Sequence, residues 1–332
     1  MTARERTMEI EQLTLSEFAT RSADTKGRVR PEAECPLRTP FQRDRDRIIH
    51  SKAFRRLKQK TQVFLAPQGD HYRTRLTHTL EVSQIARTAA RALRFNEDLA
   101  EAIAMGHDLG HTPFGHAGER ALDALNPGGF KHYEQSVRVV QHLEKEFAGL
   151  NLTAEVLEGM DRHTGGAWPA TPEGKLVRFS DRIAYMNHDI EDAISAGVLR
   201  EEDLPAEVTA RLGHSKSQRI TTLLTSLVEN TEGADVKMAP DVHEQYLALH
   251  TFMYATVYVD PKAKAEERKV DKLIGELYAH FTKNPGKMPA FYGKIWEQEG
   301  ADRAVTDYIS GMTDNYAIST FEDLFVPQSW AL

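Results

Sequence analysis

The sequence has little cysteine and no long apolar segment. Cys35 is the only cysteine among 332 residues, which excludes an internal disulfide and a metal cluster built on several thiolates. No apolar stretch approaches the roughly 20 residues that a membrane-spanning helix requires. The first residues are charged and no apolar segment follows them, so we expect no secretory signal. These absences predict a cytoplasmic protein without a membrane partner.

Three common catalytic motifs are also absent. The chain contains no G-x-x-x-x-G-K-[ST] phosphate loop, no G-x-S-x-G nucleophile elbow and no H-E-x-x-H metal motif. The formal net charge of −7 argues against a protein that coats nucleic acid.

One segment departs from this acidic balance, between Arg38 and Arg75. Its bases are Arg43, Arg45, Arg47, Arg55, Arg56, Lys58, Lys60, Arg73 and Arg75. Such a run is compatible with a surface that binds phosphates and, equally, with a solvated helix face.

The periodicity of the apolar residues predicts an all-α fold. Helical spacing recurs along the chain, for example near Leu76 to Leu93 and at Leu273, Ile274, Leu277 and Phe281, which we expect in the core. No alternation of strands and helices accompanies it. Residues 1–37 are predicted to form an N-terminal arm, with one short helix around Leu15, and 38–332 a single catalytic domain. Trp168 to Gly174 is expected to be a loop, with a helix beginning near Lys175.

Histidines and acids concentrate at the ends of these helices. His78, Val82, Ile85 and Ala89 follow one another at helical steps, which places His78 on a buried face. Asn96 is a good N-cap for the next helix, at whose C-terminal end His107 and Asp108 lie.

Further polar residues follow this pair. Gly110, Pro113 and Gly115 exclude a regular helix, so His111 and His116 belong to a tight turn or to a new helix start. Asp181, Tyr185, His188 and Asp189 share one face of a later helix, where apolar residues are expected.

The types of these side chains indicate a metal site. Imidazole and carboxylate ligands without thiolate suit Mn, Fe, Co, Ni, Zn or Mg. A site of four such ligands, at His78, His107, Asp108 and Asp181, leaves positions open for a phosphate oxygen and a water.

Longer strings resemble the HD-domain superfamily and, within it, the dGTPase-like deoxynucleoside triphosphate triphosphohydrolases. The resemblance covers about residues 38–192 and a short string near the end. The strings are Arg38-Thr-Pro-Phe-Gln-Arg-Asp-Arg-Asp-Arg47, Phe54-Arg-Arg-Leu57, Lys60-Thr-Gln-Val63, Tyr72-Arg-Thr-Arg-Leu-Thr-His78, Gly106-His-Asp-Leu-Gly-His-Thr-Pro-Phe-Gly-His116, Asp181-Arg-Ile-Ala-Tyr185 and Tyr308-Ile-Ser-Gly-Met-Thr-Asp314.

The resemblance implies an HD-type helical core with peripheral helices. It also implies the reaction that the protein catalyses. The family cleaves a nucleotide at the α-phosphorus, giving deoxynucleoside and inorganic triphosphate. By resemblance, His78, His107, Asp108 and Asp181 are ligands of a divalent ion, with Mn or Mg favoured. His111 matches a contact to the α-phosphate, and His116 a proton donor to the departing 5′ oxygen. His132 with Glu119 matches a pair near the attacking water, although which group is acid or base stays open.

The resemblance also implies residues that bind the substrate. Arg75 and Arg182 match contacts to the phosphates. Gln62, Tyr185 and Asp189 match positions around the sugar, where Tyr185 packs against the site of a 2′ hydroxyl and Asp189 faces the 3′ hydroxyl. Family members form hexamers or related homo-oligomers, and some respond to a nucleotide or single-stranded DNA effector.

The sequence departs from the family's pattern at two positions, and two alternative functions remain open. Tyr133 stands where the family often has Asn, and Asn315 where Arg is common, which leaves base preference and subunit contacts undetermined. The same ligands would also serve an HD phosphohydrolase acting on nucleoside monophosphates or cyclic nucleotides. A third hypothesis is a protein that binds nucleotides or nucleic acid around a structural metal.

Overall fold

The part of the chain that the structure describes consists of helices joined by turns and loops. The computed structural model describes residues 1–62, 73–259 and 261–327, of which 261–265 are described without side chains. Within these ranges the only β contacts are isolated bridges, such as that between Thr61 and Thr74. The all-α prediction is confirmed. No helix in the described ranges has the length and apolar character needed to cross a membrane.

Sixteen α-helices lie in the described ranges. They are α1 Ala3–Thr14, α2 Pro40–Ile49, α3 Lys52–Arg56, α4 Arg75–Leu93, α5 Glu97–Gly106, α6 Gly115–Leu125, α7 His132–Arg138, α8 Ala154–Asp161, α9 Pro172–Ser195, α10 Ala206–Leu212, α11 Lys216–Asn230, α12 Pro240–Thr256, α13 Pro261–Lys283, α14 Ala290–Glu299, α15 Ala301–Ser310 and α16 Asp314–Phe325.

The chain divides into two compact units. Unit 1 comprises Met1–Ser51, Thr77–His107 and Leu150–Asp260, and unit 2 comprises Lys52–Leu76, Asp108–Gly149 and Pro261–Leu332. One division falls at the peptide bond between His107 and Asp108. The assignment of 1–37 to an arm and of 38–332 to one catalytic domain stays a prediction.

In unit 1, two glycines let helices pack closely around α5. A Cβ on Gly106 would lie 2.6 Å from Sδ of Met160, and one on Gly159 would lie 2.5 Å from Cδ1 of Ile103. Both distances are too short for a real side-chain carbon, so a larger residue at either position would displace the side chain of Met160 or of Ile103 between α5 and α8. Asn96 caps α5 as predicted, because its side chain accepts the N–H groups of Asp98 and Leu99.

The start of α9 differs from the sequence prediction. The helix begins at Pro172 and not near Lys175, so the expected loop ends three residues earlier. Thr171 accepts the N–H of Gly174 as N-cap, and Pro172 occupies the first turn, where its missing N–H costs nothing. Reading Pro172 as a helix breaker caused the error.

Unit 2 is built around α13. Ile274, Leu277 and Phe281 are buried against Val305 and Ile309 of α15. Three of the four predicted residues of the apolar stripe on α13 are therefore core, and Leu273 is partly buried against them.

Candidate functional site

In unit 1, two histidine rings converge on one carboxylate. Nε2 of His78, on α4, lies 3.0 Å from Oδ1 of Asp181 on α9. Nε2 of His107, which follows the last residue of α5, lies 3.7 Å from the same oxygen. His78 and His107 are both at most 1% exposed. The structure thus brings together three of the four sequence-predicted ligands within this unit.

The surroundings of these groups suit a divalent cation. Nδ1 of His107 lies 2.6 Å from the carbonyl oxygen of Ala104, which assigns the ring proton to Nδ1 and leaves Nε2 with a lone pair that could bind a metal ion. Burial raises the pKa of Asp181, but the hydrogen bond with His78 and the proximity of further histidines outweigh burial and lower the pKa to about 2. Unprotonated imidazole and ionised carboxylate are the forms that bind metal.

Sequence reasoning missed His163. This side chain lies in the turn after α8, with its ring 5.0 Å from that of His107 and Nδ1 2.7 Å from the carbonyl oxygen of Met160. Its distance along the chain from His78 and His107 follows no helical period. Only the packing of α8 against α5 places it there.

In unit 2, Asp108 lies between a guanidinium and an imidazole. Nη1 of Arg75 donates to Oδ2 of Asp108 at 2.7 Å, and Nε2 of His111 lies 3.4 Å from Oδ1. Arg75 is 1% exposed, so a full positive charge is held inside the unit by this carboxylate. A buried arginine of this kind can neutralise phosphate oxygens with little screening by water.

Three further predicted residues surround His111 in unit 2. Glu119 accepts from Nδ1 of His116 at 3.0 Å through one oxygen and from Nδ1 of His132 at 2.8 Å through the other. The rings of His111 and His132 are stacked with their centroids 3.9 Å apart. One ligand atom from each of these four residues lies within 4.8 Å of the others, so the group could also hold a cation.

The charge and the exposure of these four side chains differ, and so does the chemistry that each can perform. Burial raises the pKa of Glu119, but the hydrogen bonds with His116 and His132 outweigh burial and hold the pKa well below its ordinary value of 4.5. Burial and the charge of Arg75 lower the pKa of His111 well below 6.5, so His111 is neutral near neutral pH. His116 has an exposed side chain, whereas His132 is largely buried. An exposed imidazole held by a carboxylate is suited to proton transfer.

The turn between His111 and His116 has the geometry that its glycines predict. A Cβ on Gly110 would lie 2.2 Å from the backbone nitrogen of Ser136, and Gly115 adopts φ +55° at the start of α6. Phe114 also lies in the left-handed region, with φ 63°. The sequence predicted a tight turn or a new helix start for the two histidines: His111 lies in the turn, and His116 lies in the first turn of α6.

The predicted phosphate and sugar residues of unit 1 lie on α9. Arg182 lies over the ring of Trp168, 5.8 Å from its centroid. Asp189 accepts a hydrogen bond from the hydroxyl of Tyr258. Tyr185 neighbours Tyr246, and burial raises the pKa of Tyr246 to about 12. Tyr246 and Tyr258 were not anticipated, because they belong to α12 and the turn after it, which carry no recognisable motif.

Gln62, in unit 2, is the last described residue before 73. Its carbonyl oxygen accepts from Nη2 of Arg75 at 3.2 Å, and among the described residues no partner reaches its side-chain oxygen Oε1. A buried amide oxygen in this state can accept a hydrogen bond from a ligand.

The basic residues between Arg38 and Arg75 lie in two kinds of environment. On α2, Arg45 pairs with Asp46 at 2.9 Å, and Arg43 and Arg47 pair with Glu32 at 3.3 and 2.7 Å. These contacts favour an ion-paired helix face for this part of the run. Lys60 and Arg75 are instead buried in unit 2.

Comparison with known families gives two matches, which together cover most of the chain. The HD domain matches residues 75–186, and a phosphohydrolase-associated domain matches residues 236–323. The first match contains nearly all the predicted site residues, and only Gln62 and Asp189 lie outside it.

Several curated proteins are similar over nearly their whole length. A deoxyguanosinetriphosphate triphosphohydrolase-like protein of Caldanaerobacter subterraneus subsp. tengcongensis is 53% identical, covering 99% of this chain and 98% of that protein. Proteins of the same name from Clostridium perfringens and Brucella suis are 47% and 40% identical, covering 99% and 93% of this chain and 99% and 94% of their own lengths. A solved phosphohydrolase from Bacteroides thetaiotaomicron shares the fold, with a TM-score of 0.54 at 19% identity over 82% of this chain and 66% of that chain.

Proposed function

Because this chain belongs to the family of deoxyguanosinetriphosphate triphosphohydrolase-like proteins, we propose that it hydrolyses (deoxy)nucleoside triphosphates at the α-phosphorus. The products are the (deoxy)nucleoside and inorganic triphosphate. The chain is a hydrolase of the HD type. The observation that carries the proposal is the pair of buried imidazoles, His78 and His107, directed at Asp181.

The proposed ligands of the divalent ion are His78, His107, Asp108 and Asp181. The buried imidazoles and the ionised carboxylate of unit 1 fit such an ion, and Asp108 follows His107 directly in the chain. Manganese or magnesium is favoured, although the ligand set also suits Fe, Co, Ni or Zn. When bound, the ion supplies a Lewis acid that polarises a phosphoryl oxygen.

We assign phosphate binding and proton transfer to side chains of unit 2. Arg75 offers its guanidinium to the phosphates, which carry about four negative charges near neutral pH. Neutral His111 contacts the α-phosphate without repelling Arg75. Glu119 holds Nδ1 of His116 and of His132, which directs the opposite nitrogen of each ring away from the carboxylate. We assign His116 as proton donor to the 5′ oxygen and His132 with Glu119 to the side of the attacking water.

The sugar contacts are assigned to Gln62, Tyr185 and Asp189, and a second phosphate contact to Arg182. The amide oxygen of Gln62 has no partner among the described residues, and Asp189 is held by the hydroxyl of Tyr258. A carboxylate oriented in this way can accept the 3′ hydroxyl. The partly buried ring of Tyr185 would leave little room for a 2′ hydroxyl, which favours deoxyribose.

A product assay tests the proposal. Purified protein is incubated with each of the eight canonical NTPs and dNTPs and Mn²⁺ or Mg²⁺, and products are separated by ion-exchange chromatography. We expect nucleoside and intact triphosphate. Release of inorganic phosphate from a monophosphate, or opening of a cyclic nucleotide, would instead indicate another HD phosphohydrolase. Nucleotide binding that survives His107→Ala and Asp108→Ala, with no turnover of any substrate, would indicate a structural metal.

We also propose the organisation of the whole chain. An arm formed by 1–37 precedes one catalytic domain, 38–332, and copies of the chain form a homo-oligomer, with a hexamer as the first candidate. A nucleotide or single-stranded DNA acts as effector. Light scattering of the purified protein, with and without each effector, measures the mass of the assembly. A monomer under all conditions contradicts the oligomer.

A further inference from the structure

Asp314, at the start of α16, binds two segments of unit 2 that are remote from it in sequence. Its Oδ1 accepts the backbone N–H of Phe114 at 2.9 Å. Its Oδ2 accepts the backbone N–H of Thr61 at 2.9 Å and also the Thr61 hydroxyl. Asp314 is 9% exposed, so these three hydrogen bonds form largely out of contact with water.

The first of these segments is the turn that carries His111 and leads into α6, where His116 lies. Phe114 lies between the two histidines and adopts φ 63°, a conformation that residues other than glycine rarely adopt. It is also the N-cap of α6, yet its side chain makes no capping hydrogen bond. The bond from its N–H to Asp314 therefore holds the turn together with one local bond, from the hydroxyl of Thr112 to the carbonyl oxygen of Gly115 at 2.9 Å.

The second segment leads to Gln62 and Arg75. The backbone N–H of Arg75 donates to the carbonyl oxygen of Lys60 at 3.0 Å, and Gln62 accepts from the Arg75 guanidinium. A Cβ on Gly115 would lie 2.9 Å from the carbonyl oxygen of Gln62, so the turn and this segment are in close contact. Movement of Thr61 would thus displace both the Thr61–Gln62 segment and the turn at Phe114.

Lys60 makes a parallel connection between the same elements. Its ammonium group donates to the carbonyl oxygen of His111 and, at 2.7 Å, to that of Ser310, the last residue of α15. The side chain is 2% exposed. The corner between α15 and α16 is therefore joined to the histidine turn on two sides, through Ser310 and through Asp314.

We propose that Asp314 is a positioning residue, which holds the Phe114 turn and the Thr61–Gln62 segment in the geometry that the proposed catalytic histidines require. The inference rests on the proposed function, and it assigns a catalytic purpose to the C-terminal phosphohydrolase-associated region, which contains Asp314. A carboxylate can accept from all three donors at once. An amide cannot, because its NH₂ group would face one of the N–H donors.

The test compares Asp314→Asn with a matched variant, Asp44→Asn. Asp44 is also buried, and it accepts the N–H and the hydroxyl of one threonine, Thr153, at 2.8 and 2.7 Å, together with the guanidinium of Arg28. It lies on α2 in unit 1, and none of these bonds involves a proposed site residue. Both variants should lower the melting temperature. Only Asp314→Asn should lower kcat, by about 10- to 100-fold with a smaller change in KM, because small displacements of catalytic groups reduce rates on this scale.

A second measurement does not depend on turnover. Hydrogen–deuterium exchange in peptides covering 109–118 should accelerate in Asp314→Asn and stay unchanged in Asp44→Asn. If the wild-type protein hydrolyses no nucleotide, the proposed function fails, yet the exchange result still decides whether Asp314 holds the turn. Equal kinetic losses in both variants, or unchanged exchange in 109–118, overturn the positioning role.

A milder pair of variants covers the case in which Asp314→Asn does not fold. Thr61→Val removes one donor to Asp314 and keeps the shape of the side chain, whereas Thr61→Ser keeps the hydroxyl. We expect kcat to fall in Thr61→Val and to stay near the wild-type value in Thr61→Ser. Equal kcat values in the two variants contradict the proposal.

Discussion

His132 makes two contacts with a single oxygen of Glu119. Its backbone N–H donates to Oε1 at 2.9 Å, and its ring nitrogen Nδ1 lies 2.8 Å from the same atom. The first contact ties the start of α7 to α6, and the second fixes the orientation of the ring. The carboxylate therefore determines both the position of His132 and which of its ring nitrogens points away from Glu119.

Replacement of Glu119 by Gln should impair catalysis more than binding. The amide keeps the size of the side chain but loses the charge and one of the two oxygens that hold Nδ1 of His116 and of His132. We expect kcat to fall by about 10² to 10³, in the range of losses caused by removing a general acid–base group or its charge. Glu134→Gln, an exposed change on α7, is the control. Steady-state kinetics with the best substrate of the product assay measures both, and equal kcat in the two variants contradicts the role of Glu119.

The same residue should make stability depend on pH. Burial opposes ionisation, but His116 and His132 hold the pKa of Glu119 below 4.5 in the folded protein. The unfolded chain takes up this proton near pH 4.5 while the folded chain does not. The stabilisation is thus present above that pH and is lost as the pH falls below it. Urea unfolding in chelator from pH 7 to pH 4 should show a smaller loss for Glu119→Gln than for the wild type. Parallel curves would contradict the assigned ionisation.

Removal of the metal should abolish activity reversibly. Chelation followed by desalting is expected to give inactive protein, and added Mn²⁺ or Mg²⁺ should restore turnover. Asp181→Ala should weaken ion binding by at least about 100-fold, since removing a ligand costs no less than removing the group that orients one. Calorimetric titration of the chelated protein measures the affinity, with the surface variant His243→Ala as control. Wild-type affinity in Asp181→Ala excludes Asp181 as a ligand.

Tyr185 should determine the choice between deoxyribose and ribose. Tyr185→Ala opens space at the proposed 2′ position, so the ratio of kcat/KM for a dNTP to that for the matching NTP should fall by about 10-fold or more, the upper part of the effect of steric contacts in a pocket. Tyr185→Phe keeps the ring and should keep the ratio. Competition between the two nucleotides in one reaction gives the ratio directly. An unchanged ratio in Tyr185→Ala places the discrimination elsewhere.

Gly110 should tolerate no side chain. Its Cβ would lie 2.2 Å from the backbone of Ser136, whereas a Cβ on Gly166 meets no described atom within 4 Å. Gly110→Ala is expected to lower the free energy of unfolding by about 1–3 kcal/mol or more, as overpacking against rigid backbone does. Gly166→Ala should change it by less than about 0.5 kcal/mol, as surface substitutions do. Denaturant unfolding measures both, and equal stabilities would contradict the close approach of the turn to α7.

Features of short range were accessible from the sequence. The burial of His78 followed from the apolar period of α4, and the position of His107 followed from the Asn96 cap and the length of α5. The turn at Gly110 and Gly115 followed from its glycines and Pro113. The start of α9 was missed because Pro172 serves as a helix initiator, a role that depends on the capping by Thr171.

The sequence by itself determined the helices, the residue types of the candidate site and, through its motifs, the family. Each depends on neighbours within one or two helical turns or on an uninterrupted string. Tertiary structure alone decided that His163 lies beside His107, that Tyr258 holds Asp189, and that Asp314 binds Phe114 from 200 residues away. Such contacts depend on how distant helices pack, and no local periodicity encodes which side chains then meet.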